Sequence, residues 1–472
     1  MFVNRQAELS FFNQVLNRER PGPGQLILLY GRRRVGKTAL LRHWAAHSGI
    51  PFTYWVANKE SPALQRRSLF ATLMNMPEEQ ATAFDSWPAL WQWAAPRLAQ
   101  EGKQILILDE IPYASENDPA LLSALQHAWD AHLADSNIVL ILCGSHIKTM
   151  ESIMHHQSPL FGRLTGQWRL EPLPFQALSA FFPEWGVEER VALYAIVGGV
   201  PAYLEWLDPR LSLVDNIRDV ILSPGSMFMA EPRMLLYDEL REPDTYLSIL
   251  EAVANGHHRQ GDIANACLIG SESLSYYLSR LQELNLIERR LPATLTTAQR
   301  RRSKSGRYHL RDPYFRFYFR FLAPHQESLL RPDETLTHIK NELRSFVALA
   351  FERLVQQWLA TRPALLSFTP ESIGSHWHRS VQLDVVAVNW QTRELLLGEC
   401  KWGEGSVDRA TVRELLERKA PRMRDKMGDE WTFNYAFFAR SGFTEAATDY
   451  AYTHKVLLVT ADQIATDLQQ DS

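Results

Sequence analysis

The sequence predicts an α/β protein built from several domains, and three observations carry that expectation. The apolar run QLILLY leads into a glycine-rich loop and then a helical pattern, within residues 25–45. From Asp244 the pattern changes to short amphipathic helices. From about Asn341 it returns to mixed helix and strand, with two β-like runs flanking a polar turn at Gln391-Thr392. A chain of 472 residues has room for about three domains.

The loop after the first strand is the most specific signal. Gly31 is followed by four residues and then by Gly36, Lys37 and Thr38. That is P-loop spacing, with a strand before it and a helix after it. The glycines let backbone N–H groups turn inward around phosphate oxygens, and the new helix adds a favourable dipole. Lys37 is expected to reach the β- and γ-phosphates of ATP, and Thr38 to hold Mg²⁺. Arg34, Val35 and Ala39 complete the expected nucleotide-binding set. The run Arg32-Arg33-Arg34 reads either as a solvated basic turn or as a face for phosphate or a partner.

A second apolar run, QILILDE at 104–110, suits a parallel strand buried on both faces. Asp109 at its end is placed to hold Mg²⁺ through water, and Glu110 to polarise the attacking water. A third run, NIVLILCGS, ends in Ser145, either a γ-phosphate sensor or a plain strand-end serine. Arg163, in SPLFGR, reads as a nucleotide contact in its own or a neighbouring subunit, or as an ordinary surface ion pair.

The segments FVNRQAEL, GRRRVGKTAL, ILILDEIPY, CGS, SPLFGR and GGVPAYL together resemble the archaeal-type ATPases, P-loop proteins related to the AAA+ and STAND ATPases. The resemblance runs in order over roughly residues 1–325. It implies an AAA+-like ATPase core over 1–172 and a helical subdomain over 173–240, around Gly198-Gly199-Val200-Pro201. It also implies that Phe2, Asn4, Arg5 and Glu8 lie near the adenine.

From Asp244 the helical runs TYLSILEAVANG, RQGDIANAC and SESLSYYLSRLQELNLIERR follow one another. The third opens at Ser271 and puts Leu274, Leu278, Leu281 and Leu284 on one face. Two strands are expected next, in IERRLP and RYHLRD. Three helices followed by a β-hairpin is the order of a winged helix-turn-helix, assigned to 241–328 with the aromatic segment DPYFRFYFRFL as a packing linker. The link QRRRSKSGR carries five cations, Arg300, Arg301, Arg302, Lys304 and Arg307, and no acid. A wing tip of that composition suits phosphate contacts with DNA. The helix before it is less basic, with Arg280 set against Glu272 and Glu283, so intramolecular packing or protein contact is the other reading.

In the last segment, counting from the turn at 391–392 sets Val388 opposite Leu395 and Asp384 opposite Glu399. Glu399 and Lys401 then share a face. Directly opposed carboxylates repel, so a cation between them is expected, either Lys401 or a divalent ion. Glu352 sits upstream in FVALAFERLVQQWL, beside an apolar helical stripe. A helical Glu, a strand Asp and then Glu-x-Lys resemble the PD-(D/E)XK nuclease-like, restriction-endonuclease-like α/β fold, assigned to 329–472. Leu383 stands where a strict motif has proline. The resemblance implies Mg²⁺ on Asp384 and Glu399, catalysis by Lys401 and assistance from Glu352 in metal-assisted phosphodiester hydrolysis. An inactive descendant kept for binding or dimerisation is the alternative. His376 and His378 read as surface or loop histidines.

Composition narrows the classes. At 46% hydrophobic and 22% charged residues each domain can bury a core. A net charge of −4 leaves nucleic-acid contact to local patches. Cys143, Cys267 and Cys400 lie too far apart for a disulfide framework or zinc knuckle, which suits a reducing cytoplasm. No run reaches the length of a membrane span. The function expected is ATP binding and hydrolysis coupled to action on DNA. The alternatives are a regulatory ATP switch that binds DNA or protein, a homo-oligomer among them, and a ring-forming, chaperone-like motor.

Overall fold

The computed structural model describes residues 2–18, 24–240, 243–324, 332–362, 365–378 and 380–470. The expected domain boundaries near 241 and 328 fall outside the described residues. The chain forms two compact units, 1–173 with 200–202, and 174–199 with 203–472. Among the described residues no helix is long and apolar enough to cross a membrane.

The first unit holds a five-stranded parallel sheet of β1 (Gln25–Tyr30), β2 (Phe52–Val56), β3 (Gln104–Asp109), β4 (Ile138–Gly144) and β5 (Gly166–Arg169). Their order is β2-β3-β4-β1-β5. Strands β1, β3 and β4 are buried at every residue, as runs without alternation require. Period-two geometry still sorts their side chains. Leu26, Leu28, Leu106, Leu108, Leu140 and Leu142 pack into one core layer. Ile27, Leu29, Ile105, Ile107, Val139 and Ile141 pack into the other, against Leu40, Leu41 and Trp44 of the helix Lys37–His47.

In the second unit, helices Pro243–Ala254, Gln260–Cys267 and Ser271–Glu283 precede an antiparallel pair, β6 (Ile287–Arg290) and β7 (Arg307–Leu310). Leu274, Leu278 and Leu281 are buried, while Leu284 is half-buried. The link between the strands differs from the expected open tip. It contains a helix, Thr297–Arg302, started by a capping box. Thr296 Oγ1 accepts from the Gln299 N–H, and Gln299 Oε1 accepts from the Thr296 N–H. The aromatic segment is helical over 313–322, with Tyr314, Phe315, Phe317, Tyr318, Phe319 and Phe321 buried. None of these rings is available for base stacking.

The C-terminal sheet runs β12-β11-β10-β9-β8, with β8 (Ser372–Trp377), β9 (Gln382–Asn389), β10 (Glu394–Lys401), β11 (Thr432–Ala439) and β12 (Val456–Thr460). β8, β9 and β10 are antiparallel neighbours, while β10, β11 and β12 run parallel. The edge of β8 is not left open. The Ala293 N–H donates to the Ser375 carbonyl at 2.9 Å, and Ala293 joins the core of this sheet. The stretch after β6 thus covers a strand edge that would otherwise invite pairing.

His376 corrects an expectation. It lies on β8 and is fully buried, not in a surface loop. Its Nδ1 is 2.8 Å from Thr294 Oγ1, and Lys426 Nζ is 3.4 Å from its Nε2. His378, one residue beyond the strand, contacts Ser380 Oγ at 3.3 Å. Burial first, then Lys426 and His378, push the His376 pKa down to about 4 from 6.5. The unfolded chain therefore takes up a proton that the folded chain refuses. Stability contributed by neutral His376 is present above pH 6.5 and is lost as pH falls towards 4. The full loss is about 3 kcal/mol at 1.36 kcal/mol per pH unit. His376→Gln is expected to flatten the acid limb of a urea-midpoint profile over that window. An unchanged limb would show that another group sets it.

Candidate functional site

The P-loop backbone explains its glycines. A Cβ on Gly31 would meet the Leu170 carbonyl oxygen at 2.3 Å, and Gly36 has φ +91°. Either position excludes an ordinary side chain without strain. Arg34 also takes a left-handed φ, +68°. Arg5 braces the loop from the chain start. Its buried guanidinium donates to the carbonyls of Val35 and Glu171, each at 2.9 Å, and to Glu8 Oε1 at 2.9 Å. Asn4 Oδ1 accepts from the Arg5 N–H at 2.7 Å, and Phe2 stacks on His43 with centroids 3.9 Å apart. Ala39 belongs to the helix that starts at Lys37. Of the arginine run, Arg33 donates to Tyr113 Oη at 2.7 Å.

Lys37 is buried, and its Nζ donates to the carbonyls of Gly31 and Arg32 at 3.0 Å and to Ser145 Oγ at 2.8 Å. Ser145 in turn grips Glu110. Its Oγ donates to Glu110 Oε1 at 2.5 Å and its N–H to Oε2 at 3.1 Å. Thr38 Oγ1 donates to Asp109 Oδ2 at 2.8 Å, while Asp109 Oδ1 accepts from the Glu110 N–H at 2.9 Å. The structure thus gathers Lys37, Thr38, Asp109, Glu110 and Ser145. A hydroxyl beside a carboxylate is the oxygen donor set that Mg²⁺ takes. The adjacent ammonium and turned-in loop fit the phosphates of a nucleotide. Deep in this cluster, burial and then Asp109 push the Cys143 thiol pKa well up, so it stays protonated.

Tyr54, at the edge of this group, has no sequence motif to announce it. Its hydroxyl donates to Asp109 Oδ2 at 2.5 Å. Arg163 takes the ordinary alternative. Its Nε and Nη2 pair with both oxygens of Asp130 at 2.7 and 2.6 Å. This pairing lies at a partly exposed surface, the arrangement of the ion-pair alternative.

The C-terminal acids are arranged by a bulge. The β9–β10 ladder pairs Val388 with Leu395, as the turn count predicts, and ends at Val385 with Gly398. On the other side of β9, Gly374 pairs with Val386 and His376 with Leu383. Asp384 and Val385 therefore face Ser375 together, a bulge that re-aims the strand. Ser375 Oγ and Gln356 Nε2 each donate to the Asp384 carbonyl at 2.9 Å. Asp384 Oδ2 accepts from the Cys400 N–H at 3.0 Å.

Glu399 is 3% exposed, and each of its oxygens faces an ammonium. Lys419 Nζ lies 2.5 Å from Oε1, and Lys401 Nζ lies 3.3 Å from Oε2. Lys419, on the helical stretch Leu415–Lys419, is a second residue that sequence reasoning missed, since nothing in its spacing ties it to Glu399. Burial and Asp384 raise the Glu399 pKa against these lysines. Glu352, on the helix Pro332–Thr361, has its pKa pushed up to about 8, by burial first and then by Asp384. Burial followed by Asp384, Glu352 and Glu399 raises the Cys400 thiol well up. Among the described residues no group of three or more His, Cys, Asp or Glu could hold a metal ion. The donor types suit a divalent cation, but Glu399 meets Lys401, one of the two cations expected there, and Lys419 besides.

The basic link divides. Arg300 is turned inward, donating to the carbonyls of Leu295 (3.0 Å) and Ala293 (3.4 Å) and to Ser372 Oγ (2.6 Å). Packing on the β8 edge thus corrects its expected role as a nucleic-acid contact. Arg307 lies over the Trp377 ring, 4.7 Å from its centroid. Arg301, Arg302 and Lys304 are exposed.

Residues 2–207 match the profile of an ATPase domain found predominantly in Archaea. Residues 318–415 match a domain of archaeal and bacterial proteins of unknown function. The uncharacterized protein MJECL04 of Methanocaldococcus jannaschii is 32% identical over 406 residues, covering 85% of this chain and 88% of that one. Among solved structures, the Walker-type ATPase PABY2304 of Pyrococcus abyssi aligns at TM-score 0.48 and 20% identity, over 68% of this chain and 96% of that one. The ORC2 protein of Aeropyrum pernix, in its ADPNP–ADP complexes, aligns at TM-score 0.44 and 14% identity, over 71% and 95%.

Proposed function

This chain belongs to the family of ATPases found predominantly in Archaea, and on that premise we propose that it couples ATP turnover to action on DNA through its second unit. The carrying observation is the contact between Thr38 and Asp109 beside the Lys37–Ser145–Glu110 chain. In this reading Lys37 exchanges its loop carbonyls for the β- and γ-phosphates. Thr38 and Asp109 would hold Mg²⁺, which when bound screens the phosphate charge. Glu110 orients the attacking water and takes its proton, and Ser145 holds Glu110 until then.

The three helices and the β6–β7 pair are read as a winged helix-turn-helix. Exposed Arg301, Arg302 and Lys304 supply its phosphate contacts. The C-terminal sheet with Glu352, Asp384, Glu399 and Lys401 is read as a nuclease-like module. Asp384 and Glu399 would hold its cation, whose chemistry would be phosphodiester hydrolysis. The ammonium pair on Glu399 favours a second reading, a regulatory switch with an inactive module.

Plasmid cleavage with Mg²⁺ by native protein and by Lys401→Ala separates the two. Cutting by the native chain alone supports the nuclease. Equal cutting by both, or none by either, removes it. Salt-dependent DNA binding that survives in Arg301/Arg302/Lys304→Ala would remove the wing contact. In the same preparations Lys37→Ala is expected to lose ATP binding, and retained affinity would show that the nucleotide sits elsewhere.

A further inference from the structure

The ATPase reading uses Thr38, Asp109 and Glu110 but leaves Tyr54 unexplained. Its ring belongs to β2, paired in parallel with β3 so that Tyr54 lies beside Ile107 and Val56 beside Asp109. Tyr54 and Ile107 pack into the same core layer. From there the phenol reaches along β3, and its hydroxyl meets Asp109 Oδ2 at 2.5 Å. The same oxygen accepts from Thr38 Oγ1 at 2.8 Å. One helical turn beyond Thr38, the Arg42 guanidinium lies 4.7 Å from the Tyr54 ring centroid. The helix that follows the P-loop therefore grips both the carboxylate and the tyrosine that aims it.

We propose that Tyr54 is a positioning residue for the Mg²⁺ of this ATPase. It fixes the rotamer of Asp109 so that Oδ2 stays turned towards Thr38. The geometry requires a long side chain with a terminal donor, since the backbones of residues 54 and 109 are offset by two positions in the ladder. The phenol acts only as a donor. Asp109 Oδ1 is held separately by the Glu110 N–H at 2.9 Å. Donors on both oxygens leave the carboxylate little rotational freedom, and outer partners of this kind set how tightly a metal is held. The inference rests on the reading of Gly31–Thr38 as an ATP site.

The test is calorimetric binding of ATP, first without divalent ion and then across a Mg²⁺ series. Tyr54→Phe keeps the ring in its layer and removes only the hydroxyl. The expected result is unchanged affinity for metal-free ATP, with the Mg²⁺ concentration for half-maximal tightening raised on the order of tenfold. A residue that only packs would lower the melting temperature and weaken ATP binding equally with and without Mg²⁺. That outcome overturns the proposal, as does a half-point identical to the native one. Arg42→Leu releases the ring while keeping the hydroxyl. It is expected to raise the half-point by a smaller factor, and it provides the reading if Tyr54→Phe does not fold. Lys37→Ala runs alongside. If it still binds ATP as the native chain does, the site reading itself fails. If it loses ATP while Tyr54→Phe matches the native half-point, only the role of Tyr54 fails.

Discussion

Glu110→Gln is expected to lower ATP turnover by about 10²–10⁴-fold, the range for removing a positioned general base, with little change in ATP affinity. The reason is local. Glu110 begins the helix Ile111–Asn117 with φ +51°, a left-handed conformation uncommon for a residue with a side chain. That turn points its carboxylate across to the end of β4, where Ser145, the next residue, donates from its N–H and Oγ to the two oxygens. Glutamine keeps the shape, its oxygen can still accept from the Ser145 N–H while its amide N–H₂ turns to the Ser145 hydroxyl, and it cannot take a proton from water. No ligand of the phosphates is touched, so binding measured by calorimetry should survive while phosphate release collapses. Undiminished turnover would remove Glu110 from the role of base. Lys37→Ala is the contrast, because it is expected to lose binding and turnover together.

The legible parts of this molecule share one property. Their chemistry is carried by neighbours in sequence or by strand parity. Gly31, Gly36, Lys37 and Thr38 lie on one loop, and Asp109 with Glu110 ends an unbroken apolar strand. The pairing of Val388 with Leu395 follows from counting residues back from a turn. What stayed hidden depends on contacts distant in sequence. Tyr54 reaches Asp109 across 55 positions, and Lys419 reaches Glu399 across 20. The bulge at Asp384 needs a partner strand, β8, whose register no pattern in β9 specifies. His376 reads as polar and near a loop, yet Thr294 and Lys426 meet its two nitrogens inside the fold. Arg300 sits in a cationic run, but a capping box one turn earlier winds it into a helix and turns it inward. Charge runs report composition. Which members face solvent is decided by the helix phase and by the strand edge beneath.

The second large effect is expected at Lys419. Its ammonium and that of Lys401 each take one oxygen of Glu399, so a divalent ion seeking that carboxylate has to displace one of them. Lys401 is the more exposed of the two, at 41% against 26% for Lys419. Lys419 therefore makes the shorter and drier contact. Lys419→Met keeps the aliphatic stem and removes the charge. In chelator the variant should be less stable by about 1.5–3 kcal/mol, the range for a hydrogen bond to a charged group. With Oε1 released, Glu399 keeps only the more exposed Lys401, and beside Asp384 it becomes a better site for a divalent ion. Ligand binding to the folded state alone adds RT ln(1 + [L]/Kd), about 2.7 kcal/mol at one hundred times Kd. Saturating Mg²⁺ should thus restore most of the variant's lost stability while moving the native midpoint little. Mg²⁺ that leaves the variant's urea midpoint unmoved would show that these acids do not gather a metal even when a lysine is withdrawn. In the native chain the two ammoniums would then be the lasting balance of Glu399.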